Sequence, residues 1–303
     1  MKIMSFLFTC PFCQTRTEVP DEFAGQSGPC AVCGRTIVIP RDPASAAAPE
    51  SSKTSASMVF IMLLIAGGAL FAIAFVGLLV GFLFPAFNSA QVASRKVQCD
   101  ANLKAIALAM HQYHDQYGCF PPAFVADGDG KPLHSWRVLL LPQLGYSGLY
   151  NQYDLNSPFD SDTNIQLAGR MPPEYACPSD PDATILAEPN YMVVVGDRTM
   201  FPGDKSTSFA QLRDGSSQTI MLVEVCQSGV NWMEPVDLKY DKMLLEINAD
   251  EAAEISSHHE NGAHIATADG MPHFLTNQTP PHYVSAMLSI SGGESVPSAV
   301  LDQ

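Results

Sequence analysis

The feature that most constrains this chain is a long stretch without a charged residue. Residues 58–84 are all apolar or glycine, and no charged side chain occurs between Lys53 and Arg95. As an α-helix these 27 residues would reach about 40 Å, more than the ~30 Å hydrocarbon core of a bilayer. The stretch is too long for the core of a signal peptide, and no small-residue cleavage pattern follows it. We therefore predict a single transmembrane helix at 58–84, with a kink or the end of the span at Pro85.

Half of the eight cysteines lie before this stretch. They form two C-x-x-C pairs with 16 residues between the pairs: Cys10, Cys13, Cys30 and Cys33. Each such turn points its two sulfur atoms to one side, and two turns supply the four thiolates of a tetrahedral zinc. The spacing predicts a zinc ribbon over residues 1–40, with short strands at 15–19 and 35–40. Four protein ligands leave no position for water, so the zinc would be structural. Two disulfides or a redox-active pair are the alternatives.

Residues 41–57 are rich in Ala, Ser and Pro, and their composition predicts a flexible linker. Basic residues are nearly balanced on the two sides of the span, so they give no orientation. The distribution of cysteines indicates the orientation instead, because a thiolate cluster fits a reducing compartment and scattered cysteines fit an oxidising one. We therefore predict a membrane protein with residues 1–57 in the cytoplasm and residues 89–303 outside the cytoplasm.

The charge of the chain is unevenly distributed. Residues 1–53 carry five basic and five acidic side chains, so the net charge of −15 belongs to residues 95–303. An acidic surface repels phosphate backbones, which excludes nucleic-acid binding by the C-terminal part. The ribbon is neutral, which favours a protein partner over RNA. The sequence does not decide between these two partners.

The part that follows the membrane predicts an α+β domain over residues 85–303. Apolar residues at helical spacing continue from 103 to Tyr117, and Gly118 then ends the helix. The later apolar stretches predict antiparallel strands packed on the helical residues 97–117. These strands lie near 191–195, 220–225, 263–268 and 271–276.

Asp269-Gly270 between the last two strands predicts a tight hairpin, because glycine tolerates positive φ. His259 would lie in the loop that enters this hairpin, and we interpret all three residues as structural rather than as acid–base groups.

Five histidines fall within residues 258–282 and predict an exposed cluster, with a metal site on the hairpin as the alternative: His258, His259, His264, His273 and His282. No nucleophile elbow or phosphate-binding loop occurs, and we predict that the protein is not an enzyme.

Two short acidic segments could hold calcium, because carboxylates two residues apart can bind Ca²⁺ together with backbone carbonyls. They are the Asp-Gly repeat at 127–130 and the aspartates between 154 and 162. Neither has the full pattern of a calcium loop. Ordinary Asp-Gly turns are the alternative.

Several segments resemble a known family in the same order along the chain. The first, at 84–123, reads FPAFNSAQVASRKVQCDANLKAIALAMHQYHDQYGCFPPA. The others are GKPLHSWRVLLLPQLG (130–145), LYNQYDLNSPFDSDTN (149–164), MPPEYACPSD (171–180), DGSSQTIMLVEV (214–225) and VNWMEPVDL (230–238). With His259 placed before Asp269-Gly270 as in an H-x9-DG motif, they resemble the bacterial prepilin-like proteins labelled domain of unknown function 1559. That family is similar to the major pseudopilin of type II secretion.

The resemblance implies a pilin-like long helix followed by an α+β head. Because the cysteine spacing adds a zinc ribbon before this helix, we predict a multidomain chain. Pilins differ from this chain, since no Glu lies in 58–84 and a cysteine-rich segment stands where pilins have a short basic leader. This difference argues against cleavage by a prepilin peptidase. The resemblance also favours a disulfide between Cys99 and Cys177, which leaves Cys119 for Cys226; free buried thiols are the alternative.

These predictions combine into one function and two alternatives. The chain would be a non-enzymatic, membrane-anchored extracytoplasmic scaffold or interaction protein, linked to secretion or envelope architecture through self-assembly or protein partners. The first alternative is a transmembrane recruiting or sensing protein that uses its cytosolic ribbon. The second is a metal-dependent ectoenzyme that uses the histidine cluster.

Overall fold

The computed structural model of the protein describes residues 4–41, 56–249 and 254–301. The predicted linker at 41–57 therefore lies almost entirely outside the described residues. The chain divides into two compact units, Met1–Val80 and Gly81–Gln303, and the division falls within a long helix.

The first unit contains two small antiparallel hairpins. The first hairpin pairs β1 (Ser5–Thr9) with β2 (Arg16–Pro20), and the second pairs β3 (Ser27–Pro29) with β4 (Thr36–Val38). One C-x-x-C turn connects the strands of each hairpin. A strand thus follows each turn as predicted, and it also pairs with a strand before the turn that the sequence pattern does not indicate.

A single helix, α1 (Ala56–Tyr117), contains the apolar stretch. Its described part is long and apolar enough to cross a membrane, and its most apolar stretch has a mean hydropathy of 2.1 and contains no buried residue. The helix continues through Pro85, so this proline does not end it. It ends as predicted: Gly118 adopts a φ of +74° and donates its N–H to the His114 carbonyl at 2.7 Å.

The second unit is built around a four-stranded antiparallel sheet with the order β12-β11-β9-β7. These strands are β7 (Tyr191–Met192), β9 (Ile220–Glu224), β11 (Gly262–Thr267) and β12 (Pro272–Thr276). Two smaller pairs join β5 (Phe124–Ala126) to β6 (Pro132–Ser135), and β8 (Val194–Val195) to β10 (Leu238–Lys239). The remaining helices are α2 (Trp136–Leu139), α3 (Ser147–Tyr150), α4 (Ala183–Leu186) and α5 (Pro281–Leu288).

The sheet is covered on both faces, because β9 and β11 are fully buried. Leu103, Ile106 and Met110 of α1 belong to the apolar cluster on one face, together with Leu222 and Ala266. This confirms the predicted packing of the strands on α1. A second cluster on the other face includes side chains of α5, a helix that the sequence pattern does not predict.

A buried ion pair holds the sheet to the segment around α2. Arg137 Nη2 lies 2.8 Å from Asp237 Oδ1, and both side chains are almost inaccessible to solvent. The guanidinium also donates to the Tyr191 carbonyl, and Trp136 Nε1 donates to the same aspartate at 3.1 Å. The carboxylate further accepts the backbone N–H of Val193 at 3.1 Å. Every strong polar group of the pair therefore has partners in the core.

The Asp-Gly hairpin forms as predicted. Asp269 Oδ1 accepts hydrogen bonds from the Thr267 hydroxyl at 2.6 Å and from the Met271 backbone N–H at 3.2 Å. Gly270 has a φ of +88°, a region that favours glycine. The aspartate carboxylate is thus used to close the turn between β11 and β12.

This turn supports a test by Gly270→Ala. A left-handed residue with a Cβ costs ~1–2 kcal/mol, and the new methyl group would lie 3.2 Å from Cε1 of His111. We expect the variant to lose ~1–2 kcal/mol of unfolding free energy in urea titrations followed by the fluorescence of Trp136 and Trp232. Gly128→Ala is the control, because its added Cβ meets nothing within 4 Å. Equal urea midpoints of unfolding for Gly270→Ala and Gly128→Ala would contradict the prediction.

Candidate metal centres

The two C-x-x-C turns bring their four sulfur atoms together. Cys10 Sγ lies 3.8 Å from Cys33 Sγ, and Cys13 Sγ lies 3.8 Å from Cys30 Sγ. All four atoms lie within 4.8 Å of one another. A regular tetrahedron with ~2.3 Å bonds, the zinc–thiolate length, has edges of about 3.8 Å. The predicted ligands are thus placed so that they could hold one metal ion.

The two turns share one local geometry. In each, the backbone N–H of the first cysteine donates to a carbonyl five residues later, Thr15 or Arg35. The residue after the second cysteine, Gln14 or Gly34, is left-handed and donates its N–H back to the first cysteine. Hydrogen bonds from Thr15 lower the pKa of Cys13 to about 6. Such bonds favour the thiolate form that binds metal.

A second group of side chains that could hold a metal ion lies in the interior of the other unit. It combines two cysteines, a histidine and a carboxylate, all buried: Cys99, Cys177, His259 and Glu224. One ligand atom of each lies within 4.8 Å of those of the other three. His259 Nε2 lies 3.1 Å from Cys99 Sγ, 3.5 Å from Cys177 Sγ and 3.7 Å from Glu224 Oε1. The imidazole therefore contacts every other member of the group.

These four residues come from distant parts of the chain. Cys99 lies on α1, and Glu224 is the last residue of β9. Cys177 lies in the loop before α4, and His259 lies in the loop before β11. The group is thus assembled where the long helix crosses one end of the sheet.

The surroundings favour the charged forms of Cys99 and Glu224, whereas the hydrogen bond with Cys99 and burial raise the pKa of Cys177. Hydrogen bonds with Cys177 and His259 lower the pKa of Cys99 to about 6, although burial acts in the opposite direction. Burial also raises the pKa of Glu224, but two hydrogen bonds from His264 outweigh it and hold this pKa below its ordinary value. These bonds come from the backbone N–H at 3.0 Å and from Nδ1 at 3.1 Å. A thiolate and a carboxylate are therefore stabilised in the core.

The predicted disulfides are not formed in this structure, in which the cysteines of the described residues are all free. Cys99 and Cys177 do lie together, but both also face His259, so their sulfur atoms have other partners. Cys119 contacts the Tyr117 carbonyl at 3.8 Å, whereas Cys226 lies 3.0 Å from His258 Nε2. These two cysteines occupy different surroundings.

The histidines do not form one exposed cluster, which corrects the expectation from their spacing. His259 and His264 are buried, and their rings are in edge-to-face contact with centroids 4.6 Å apart. His273 contacts the Leu301 carbonyl through Nδ1 instead. The spacing is misleading because β11 turns His264 towards α1, where its Nε2 lies 3.5 Å from Asp100.

The H-x9-DG residues are not brought together. His259 precedes β11 and Asp269-Gly270 follows it, so they lie at opposite ends of that strand. His259 joins the ligand group, whereas the Asp-Gly pair closes a turn. The motif therefore combines two separate local roles.

The acidic segments use their carboxylates in local turns. Asp127 Oδ1 accepts the backbone N–H groups of Asp129 and Lys131 at 3.0 and 2.8 Å. Asp154 likewise accepts the N–H of Asn156 at 3.0 Å and the hydroxyl of Ser157 at 2.7 Å. These bonds match the Asp-Gly turn alternative, and the calcium prediction stays a prediction.

Glu224 is the member of the buried group that the sequence patterns do not single out as a ligand. In the sequence, Glu224 stands out only as the one carboxylate in the otherwise apolar stretch 220–225. The ion pair between Arg137 and Asp237 also cannot be predicted from the sequence, which shows only that each residue lies in one of the segments that resemble the family. Both examples depend on residues that are far apart in the sequence.

Comparison with known proteins gives one family. Residues 88–242, which are 155 of the 303 residues, match the family described as protein of unknown function (DUF1559). The match includes Cys99, Cys177 and Glu224 but does not extend to His259 or to the cysteines of the first unit. No curated protein and no solved structure matches the chain. Because the match covers half of its length, the chain belongs to the DUF1559 family.

Proposed function

We propose that this protein is a non-enzymatic, membrane-anchored scaffold that assembles with further copies of itself through a pseudopilin-like extracytoplasmic head. The observation that carries the proposal is α1, one helix that is apolar and exposed over its membrane-length part and buried in the core of the head at its end. A helix of this kind ties the position of the head to the membrane. In this proposal the ribbon lies in the cytoplasm.

The ribbon would hold a structural zinc through Cys10, Cys13, Cys30 and Cys33. The sulfur spacing supports zinc, and four protein ligands fill a tetrahedral zinc without leaving a position for substrate. When bound, the ion would supply folding energy rather than a reaction step. A folded ribbon of neutral charge would serve as a small protein-contact module.

The outer face of α1 within the head supports self-assembly. Val97, Ala101, Lys104 and Leu108 recur at helical spacing and are exposed, whereas the neighbouring Leu103 and Ile106 are buried. Val97 is 68% and Leu108 is 56% exposed. A largely apolar strip that continues from a membrane helix can be covered by the same strip of a second copy.

A photo-crosslinking amino acid at Leu108 tests this proposal in intact cells. We expect covalent dimers and higher oligomers of the protein, because the side chain would face a neighbouring copy. The control is the same substitution at Ile185 on α4, which is 79% exposed but lies off this face. It should give no ladder of oligomers.

Two outcomes would overturn the scaffold proposal. One is the absence of oligomers from Leu108 under conditions in which the protein is abundant. The other comes from chemical cross-linking of the unchanged protein in the same cells: links from residues 4–41 to one cytosolic protein, with an unlinked head, would instead favour the transmembrane recruiting protein.

A further inference from the structure

The buried group in the head has the composition of a metal site rather than of an ordinary core. We propose that Cys99, Cys177, His259 and Glu224 bind one zinc ion that clamps α1 to the sheet. Two thiolates, an imidazole and a carboxylate are all established zinc ligands, and four of them complete a tetrahedron. This site is separate from the ribbon and requires no contact between copies of the protein.

The geometry supports one shared ion. Tetrahedral zinc with ~2.3 Å sulfur and ~2.05 Å nitrogen bonds places sulfur and nitrogen about 3.6 Å apart. His259 Nε2 lies 3.1 Å from Cys99 Sγ and 3.5 Å from Cys177 Sγ. The carboxylate oxygen of Glu224 lies 3.7 Å from the same nitrogen. Small outward movements of these side chains would accommodate the ion.

The residues around the group orient the ligands as they do in metalloproteins. The other ring nitrogen of His259 lies 3.4 Å from the Ser179 hydroxyl, which leaves Nε2 for the metal. His264 holds the Glu224 carboxylate through two hydrogen bonds. The buried Tyr191 hydroxyl has no hydrogen-bond partner among the described residues.

Charge and access also agree with a cation. When the two thiols lose their protons to bind a metal, the charge of the ion compensates for the buried thiolates and for the Glu224 carboxylate. A cleft of about 450 Å³ reaches Cys177 and is also lined by Asn102, Glu174 and Asp180. It offers a path by which an ion could enter.

The ion would be structural. Its four ligands come from α1, β9 and two loops, and Cys99 and His259 are separated by 160 residues in the sequence. One ion at this point therefore joins four segments of the head that the backbone connects only through long loops. Because all four ligands are protein side chains, no position is left for a substrate.

The test uses the full chain, purified in detergent without chelators from cells grown with zinc. All four ribbon cysteines are replaced by serine, so that any remaining zinc belongs to the head. We expect one zinc per chain by elemental analysis. X-ray absorption should show two sulfur and two nitrogen or oxygen neighbours. Residues 4–41 are expected to be unfolded in this protein, but the sequence of the head is unchanged, so the zinc content reports on the head alone.

Two further variants on this ribbon-deficient background complete the test. His259→Gln should lose the zinc, whereas His258→Gln should retain it, because the neighbouring His258 contacts Cys226 and Asp180 outside the group. Peptide mapping without reduction would detect a Cys99–Cys177 disulfide. That disulfide, a metal-free head, or equal zinc loss in both histidine variants would overturn the proposal.

Discussion

Replacing Cys10 and Cys33 by serine is expected to unfold residues 4–41. Among these residues only Phe8 and Cys10 are buried, so the two hairpins have almost no apolar core of their own. Units of this size are usually stabilised by a metal, by disulfides or by oligomerisation. Structural zinc contributes apparent free energies of ~10–16 kcal/mol in small zinc domains. The loss of two ligands should remove most of this free energy and leave the hairpins unfolded.

Hydrogen–deuterium exchange of the full chain in detergent measures this effect. The backbone amides that pair β1 with β2 and β3 with β4 are expected to lose their protection in the double variant. Peptides from the sheet of the head should exchange as in the unchanged protein. Cys119→Ser is the control, because this cysteine belongs to neither ligand group. Protected ribbon amides in the double variant would show that the hairpins fold without the metal.

Asp237→Ala is expected to lower the unfolding free energy of the head by ~3–5 kcal/mol. The substitution leaves the Arg137 guanidinium buried without its counter-charge. Removing one partner of a buried ion pair lowers the unfolding free energy by ~3–5 kcal/mol. Trp136 Nε1 and the Val193 N–H would lose their acceptor as well. The effect is expected to exceed that of Gly270→Ala.

Urea titration followed by tryptophan fluorescence reports on this change, since both tryptophans of the chain lie buried in the head. Asp241→Asn is the matched control, because Asp241 and Lys242 form an ion pair at 3.5 Å with both side chains exposed. The control should stay within ~0.5 kcal/mol of the unchanged protein. If Asp237→Ala does not fold, the double variant Arg137→Met, Asp237→Leu should fold again, because it removes both charges. Equal midpoints for Asp237→Ala and Asp241→Asn would contradict the prediction.

Features that depend on neighbouring residues could be read from the sequence. The long apolar helix, its end at Gly118 and the Asp-Gly hairpin follow from periodicity, from glycine conformation and from turn chemistry. The grouping of the four ribbon cysteines could also be predicted, because two C-x-x-C turns separated by 16 residues already define most of its geometry. In each case the interacting atoms are close along the chain.

The ligand group in the head could not be predicted in this way. The family resemblance predicts that Cys99 pairs with Cys177, but folding also brings His259 and Glu224 to them. The spacing of the five histidines predicts a cluster on the surface, yet His264 on β11 is buried. Such contacts depend on how α1, the sheet and two loops pack. That packing reflects burial summed over the whole head, which no short pattern contains.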